Sequence, residues 1–258
     1  MPAVSCPWHL PRNSSSLLSS PQEGPGWASR RNCGRVSSPS TVPKMAHSRT
    51  YEAIILKAYD VGEADRFLIL FTRERGKLTA RARGVRKPGS RMGGHVLPFQ
   101  RSSLTLVEGH AGLLVVAAQR KSPSTPSAIL PFLHAEEGME ILAALLHGEE
   151  PLPEIFDCTQ SFLDACHEGL SDPVLPFTIE ILHLFGLLPD VRVMEHAPQL
   201  SPQIRAAVHA CTCGEWNALA DLPKNYTRTL KTLCNDILAQ STGTTLRTPL
   251  IAAALMDK

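Results

Sequence analysis

The sequence predicts an α+β chain in two parts, a small antiparallel β barrel or sandwich followed by an α-helical domain. Three observations predict it. Five short apolar runs separated by turn residues crowd into about 70 residues after position 50. From position 122 onward the apolar spacing becomes that of helices. The charge changes at the same place: residues 45–120 carry thirteen basic and six acidic residues, residues 121–258 eight and seventeen. The net charge of +2 hides this division. A basic part joined to an acidic part reads as a polyanion-binding module attached to something that binds differently.

Residues 1–44 are rich in Ser, Pro and Gly and lack periodicity, so they are expected to be disordered. Their Arg and Ser content superficially suits an organellar transit peptide. The stretch has no amphipathic pattern, however, and Met45 is the expected start of the protein proper.

The strands follow. "YEAIILKAYD" (51–60) and "DRFLILFT" (65–72) flank the turn-like "VGEA", and "GKLTARARGV" (76–85) alternates. That alternation sets Leu78, Ala80 and Ala82 on one face and Lys77, Thr79, Arg81 and Arg83 on the other. After a glycine-rich loop come "RSSLTLVE" (101–108) and "GLLVVAAQ" (112–119), joined by "GHA". Residues 45–121 thus form the first domain. "SPSTPS" lies in the linker, 122–127, and the helical domain is 128–258.

Four to six helices are expected there. Ile141, Leu142, Leu145 and Leu146 make one apolar face, and Ile155, Phe156, Phe162 and Leu163 a second. "PVLPFTIEILHLFGLLPD" is expected to end its helix at Gly186, ahead of Pro189. Leu230, Leu233, Ile237 and Leu238 mark a later helix.

Catalytic patterns are missing. There is no G-x-S-x-G, H-E-x-x-H or Walker A order. His134, His147, His167 and His183 lack a partner motif, and Cys166 beside His167 diverges from it on a helix. No enzyme activity is expected. His209, Cys211 and Cys213, with Cys234 further on, fall short of the paired C-x2-C ligands of a structural zinc site, so no metal and no cofactor are expected. Seven scattered cysteines form no disulfide framework and suit a reducing cytosol. No apolar stretch reaches the roughly 20 residues of a membrane span.

The basic run carries the functional signal. Between Arg75 and Val107 stand eight cations and no carboxylate: Arg75, Lys77, Arg81, Arg83, Arg86, Lys87, Arg91 and Arg101. Such a surface repels itself, and a polyanion relieves it by releasing counterions. Glycines at 84, 89, 93 and 94 allow close backbone approach to phosphate. Nucleic acid is the expected partner and these eight residues the expected nucleic-acid-binding set. With few aromatics (Tyr59, Phe67, Phe71, Phe99), backbone tracking is expected to outweigh base stacking.

Residues 54–100 also resemble a known family. The G-E-A-D-R turn, the F-T-x-x-x-G-K between the second and third strands, and the A-R-G-x-R-K-x-x-S-R loop before L-x-P-F are similar to the amino-terminal domain of the bacterial RecO family of recombination mediators. The resemblance implies a five-stranded OB-fold β-barrel followed by an α-helical domain. It implies DNA repair and homologous recombination without catalysis: binding single- and double-stranded DNA, annealing complementary strands, and helping RecR load RecA onto strands coated with single-stranded DNA-binding protein. It also implies contact with that coating protein's acidic C-terminal tail through the helical domain, where Arg192, Arg205, Lys224, Arg228 and Lys231 are the available cations. A cytoplasmic, nucleoid-associated location goes with it. Many members carry a four-cysteine zinc module after a G-x-x-P like Gly186–Pro189, and this chain lacks it. The alternative is an adaptor whose barrel docks an acidic protein partner.

Overall fold

A computed structural model of the chain describes residues 48–121, 126, 128–188, 201–220, 222–243 and 248. Residues 1–44, most of the 122–127 linker and Arg192 lie outside the described residues. Five strands form the first part: β1 (Ser48–Val61), β2 (Asp65–Thr72), β3 (Gly76–Ala82), β4 (Arg101–Gly109) and β5 (Gly112–Arg120). They close in the order β1-β2-β3-β5-β4, with β4 returning to β1. All pairings are antiparallel except β3 with β5, where Ala80–Ala82 run parallel to Leu113–Val115. This is the closed OB-fold barrel, and closure removes the open edges a five-stranded sheet would otherwise present.

Alternation decides what fills it. Tyr51, Ala53, Ile55, Leu68, Leu70, Leu78, Ala80, Ala82, Leu104 and Leu106 point inward and make one core. The small residues on β3 leave room for the larger ones from β1, β2 and β4. β1 breaks phase once. The register with β2 steps from Ile55↔Leu70 to Lys57↔Ile69, leaving Leu56 as an extra residue. Ile54 and Leu56 face out of the barrel into the second core, and past the break Ala58 turns in while Tyr59 and Val61 are exposed.

Five α-helices follow among the described residues: α1 (Ile129–Leu145), α2 (Pro153–Glu168), α3 (Val174–Leu184), α4 (Pro202–Thr212) and α5 (Lys224–Thr242). The faces expected for α1 and α2 are buried, and Gly186, at φ 68°, lies two residues past the end of α3. The helix α4 was not expected. Its start is nonetheless encoded: Ser201 Oγ accepts from the Ile204 N–H at 3.3 Å, and Pro202 sits in the first turn.

The helical core does not stop at the helices. Ile54, Leu56, Phe71 and Phe99 from the barrel belong to the same buried cluster as α1, α2 and α3. The Phe71 ring lies 5.5 Å from that of Phe156, and Phe99 meets Phe132 edge-on at 5.3 Å. At the centre, Phe162 of α2 stacks on Phe177 of α3 at 4.1 Å, with Trp216 at 6.3 Å from each. A Cβ at Gly138 would strike the Phe162 ring, so glycine lets α1 and α2 close on each other.

A carboxyl group also enters this core. Glu180 accepts a 2.5 Å hydrogen bond from the Trp216 indole N–H and another from the Cys158 thiol. Burial pushes its carboxyl above the usual range, against the lowering effect of those two bonds. A carboxyl whose folded pKa is raised stabilises the fold below the unfolded value, and that stability is lost as pH rises through the folded pKa. Glu180→Gln keeps an acceptor for Trp216. It is expected to flatten this decline, with stability at pH 7 equal to or above that of the unsubstituted protein. Urea unfolding at pH 4.5 and pH 7 measures it, and an unchanged decline would show that Glu180 is not its source.

Candidate nucleic-acid interface

The eight expected DNA-binding residues separate into two groups at opposite ends of the barrel. Carboxylates absent from the run in sequence are supplied by the fold, so the expectation of eight cations without counter-ions is corrected. At one end, the cations face the helices. Arg75 pairs with Glu149 in the α1–α2 connection at 2.6 Å. Lys77 donates to the carbonyls of Ala143 and Leu146, both at 2.8 Å, closing the C-terminal end of α1 where carbonyls lack helical partners. Desolvation there lowers its pKa, and Lys57 lowers it further. Arg101 donates to Gln160 of α2 at 2.7 Å and lies 4.0 Å from Glu52. Arg73, outside the expected set, joins them through a two-pronged pair with Asp157 of α2, its guanidinium 5.8 Å from the Phe156 ring centre.

At the other end, the cations face solvent. Arg81 is exposed on β3, and its guanidinium meets Asp65 at 2.8 and 2.9 Å. Asp65 also accepts from the Gly84 N–H at 2.8 Å, and that backbone bond is the largest cause of its lowered pKa, with Arg81 and Arg83 adding to it. Arg86 braces the β1–β2 turn, donating to the Gly62 carbonyl at 3.1 Å and pairing with Asp60 at 3.3 Å. Arg66 holds the same Asp60 at 3.0 Å. These bonds fold the 84–94 loop back over the end of the barrel. Among the described residues, the exposed side chains of Arg83, Lys87 and Arg91 have no hydrogen bond or ion pair. Arg81, Arg83, Arg86, Lys87 and Arg91 thus lie on β3 and the loop that follows it, exposed to solvent.

The glycines of this loop differ in their roles. Gly93 packs inward, where a Cβ would meet the Val85 carbonyl oxygen at 2.5 Å, whereas nothing lies within 4 Å of a Cβ at Gly89 or Gly94. The open half of the outer β1–β2–β3 face carries side chains that the basic run does not contain. Tyr59 is 51% and Phe67 38% exposed, and they are cross-strand partners. Phe67 is in turn opposite Arg81.

The other sequence candidates are placed elsewhere. Cys166 is buried and its thiol pushed up to about 12, the reverse of what activates a nucleophile, while the His167 Nδ1 lies 2.8 Å from the Leu163 carbonyl. Cys211 is buried with its thiol at about 12, and Cys213 is exposed just past the end of α4. Lys231 pairs with Asp172 at 2.7 Å beside a groove of about 360 Å³ lined by Leu130, Ile141, Val174 and Leu175. Among the described residues no helix is long and apolar enough to cross a membrane.

Comparison with known proteins agrees with the fold. Residues 45–135 match the family described as Recombination protein O N terminal. A DNA repair protein RecO of Myxococcus xanthus is 35% identical over 147 residues, covering 54% of this chain and 59% of the relative. Those of Heliobacterium modesticaldum and Bifidobacterium adolescentis are 40% identical over 96 residues and 45% over 71. These matches cover 36% and 28% of the chain, and 35% and 28% of the relatives. The chain therefore spans less than two thirds of the length of each of these three relatives.

Proposed function

Since residues 45–135 match the family described as Recombination protein O N terminal, we propose that the chain is a recombination mediator of DNA repair that binds single- and double-stranded DNA and anneals complementary strands. The observation that carries this reading is the surface of Arg81, Arg83, Arg86, Lys87 and Arg91, held by Asp60 and Asp65 but not buried by the helices. Phosphates of two strands brought to one positive surface repel each other less, which speeds pairing without bond chemistry. Contacts of this kind position a strand but carry no sequence code, so binding is sequence-tolerant and steeply salt-dependent. Arg75, Lys77 and Arg101 serve the same function indirectly, by fixing the helices to the barrel.

The same reading assigns the helical domain to protein partners at the bacterial nucleoid. RecR joins the complex to load RecA, and the acidic tail of single-stranded DNA-binding protein docks on the helices. Among the described cations, Lys231 and Lys224 each stand beside a groove with apolar walls, the combination of charge and apolar surface that such a tail needs.

The test is annealing of complementary strands by the full chain, bare and precoated with single-stranded DNA-binding protein, with and without RecR. Faster annealing that declines steeply with salt is expected. If the chain binds an acidic protein but no DNA even at low salt, the barrel is an adaptor and the proposal fails.

A further inference from the structure

We propose that Tyr59 and Phe67 form a stacking platform for unpaired bases, so that the open half of the barrel face holds a single strand by its bases as well as its phosphates. This rests on the nucleic-acid reading above and adds to it a ligand class, the nucleobase face. Composition alone favours electrostatic tracking, because aromatics are only 5% of the chain. The structure changes the weighting. Of the five aromatics in the basic half, Tyr51 is buried inside the barrel and Phe71 and Phe99 against the helices, while Tyr59 and Phe67 stand in solvent side by side. Large aromatics exposed together on a sheet face have lost the burial that ordinarily stabilises them there.

Position and charge select the occupant. The ring row runs Tyr59–Phe67–Arg81 across β1, β2 and β3, and the unpaired Arg83, Lys87 and Arg91 follow directly on the β3 side. Two strand spacings separate Tyr59 from Arg81, about 10 Å. That suits a nucleotide with its phosphate on the cations and its base over the rings. The extra residue at Leu56 gives the row its aromatic member on β1, by turning Tyr59 outward in place of Ala58. A duplex cannot use such a surface, because its bases have no free face. The platform therefore holds strands before they pair and releases them on pairing.

The experiment uses the full chain with an oligothymidylate and an abasic deoxyribose-phosphate strand of the same length. Stacking of two bases is worth at least about 30-fold, so the abasic strand is expected to bind that much more weakly. Replacing Tyr59 and Phe67 by alanine is expected to close this gap while leaving the salt dependence on the abasic strand unchanged. Tryptophan at both positions should restore it. Equal binding of the two strands by the unsubstituted protein overturns the platform, as it would if an apolar protein partner were the occupant. So does a gap that persists in the alanine variant, or an equal loss on both strands. Absence of any salt-dependent binding to either strand is a different result, and it removes the nucleic-acid reading itself.

Discussion

Replacing Arg81, Arg83, Lys87 and Arg91 together by alanine is expected to weaken single-strand binding by several hundred-fold at about 0.1 M salt. Each phosphate contact on a single strand contributes about 0.7 to the slope of log affinity against log salt, so four contacts account for about three. The deficit shrinks as salt rises and vanishes near 1 M, where counterion release no longer drives binding. Arg86 is left in place because its guanidinium braces the β1–β2 turn through Gly62 and Asp60. Fluorescence anisotropy of a labelled oligonucleotide over a salt series measures both quantities. The matching control replaces Arg75, Lys77 and Arg101, which face the helices. That variant is expected to unfold at lower temperature with its salt slope intact. A slope unchanged in the first variant, or lost in the second, would place the DNA at the wrong end of the barrel.

The second large effect lies in the helical core. Phe162→Ala removes a ring that is fully buried, stacked on Phe177, and in contact with Gly138 across the α1–α2 crossing. Truncations of this kind cost about 3–5 kcal/mol, and the melting temperature is expected to fall by roughly 6–20 °C. Gly138→Ala alone gains about 1 kcal/mol in helix propensity, but the Cβ strikes the ring and overpacking costs about 1–3 kcal/mol. In the Phe162→Ala background the Cβ has space, so the same substitution is expected to become stabilising. A double-mutant cycle by calorimetry checks this coupling. Strict additivity would mean that something other than the ring requires glycine at 138.

Much of the fold was legible because its punctuation is local. Gly76 opens β3 and Gly109 closes β4, two strands that alternate cleanly, and β2 runs over the span read from sequence, Asp65–Thr72. The helix α4 was not, since Ala207 and Cys211 give its buried face little apolar contrast. The basic run was visible as charge but not as two groups. Arg73 and Asp157 are 84 residues apart in the chain, and the Lys77 carbonyl partners are 66 and 69 residues away. Only the fold brings such pairs together. Tyr59 and Phe67 were visible as residues, but the outward turn of Tyr59 depends on the Leu56 phase break. A period-two pattern does not reveal that break.

The shared core has a consequence for how the protein is made. Ile54, Leu56, Phe71 and Phe99 are at most 1% exposed, and the helices that cover them are encoded after the barrel. Translation runs at about 5–20 residues per second, so the barrel strands leave the ribosome roughly 2–10 s before α2 is complete. During that interval the nascent barrel displays a greasy face carrying two phenylalanines. A holding activity at the ribosome exit, or fast translation between positions 121 and 168, would matter more for the yield of this chain than the stability of the finished molecule.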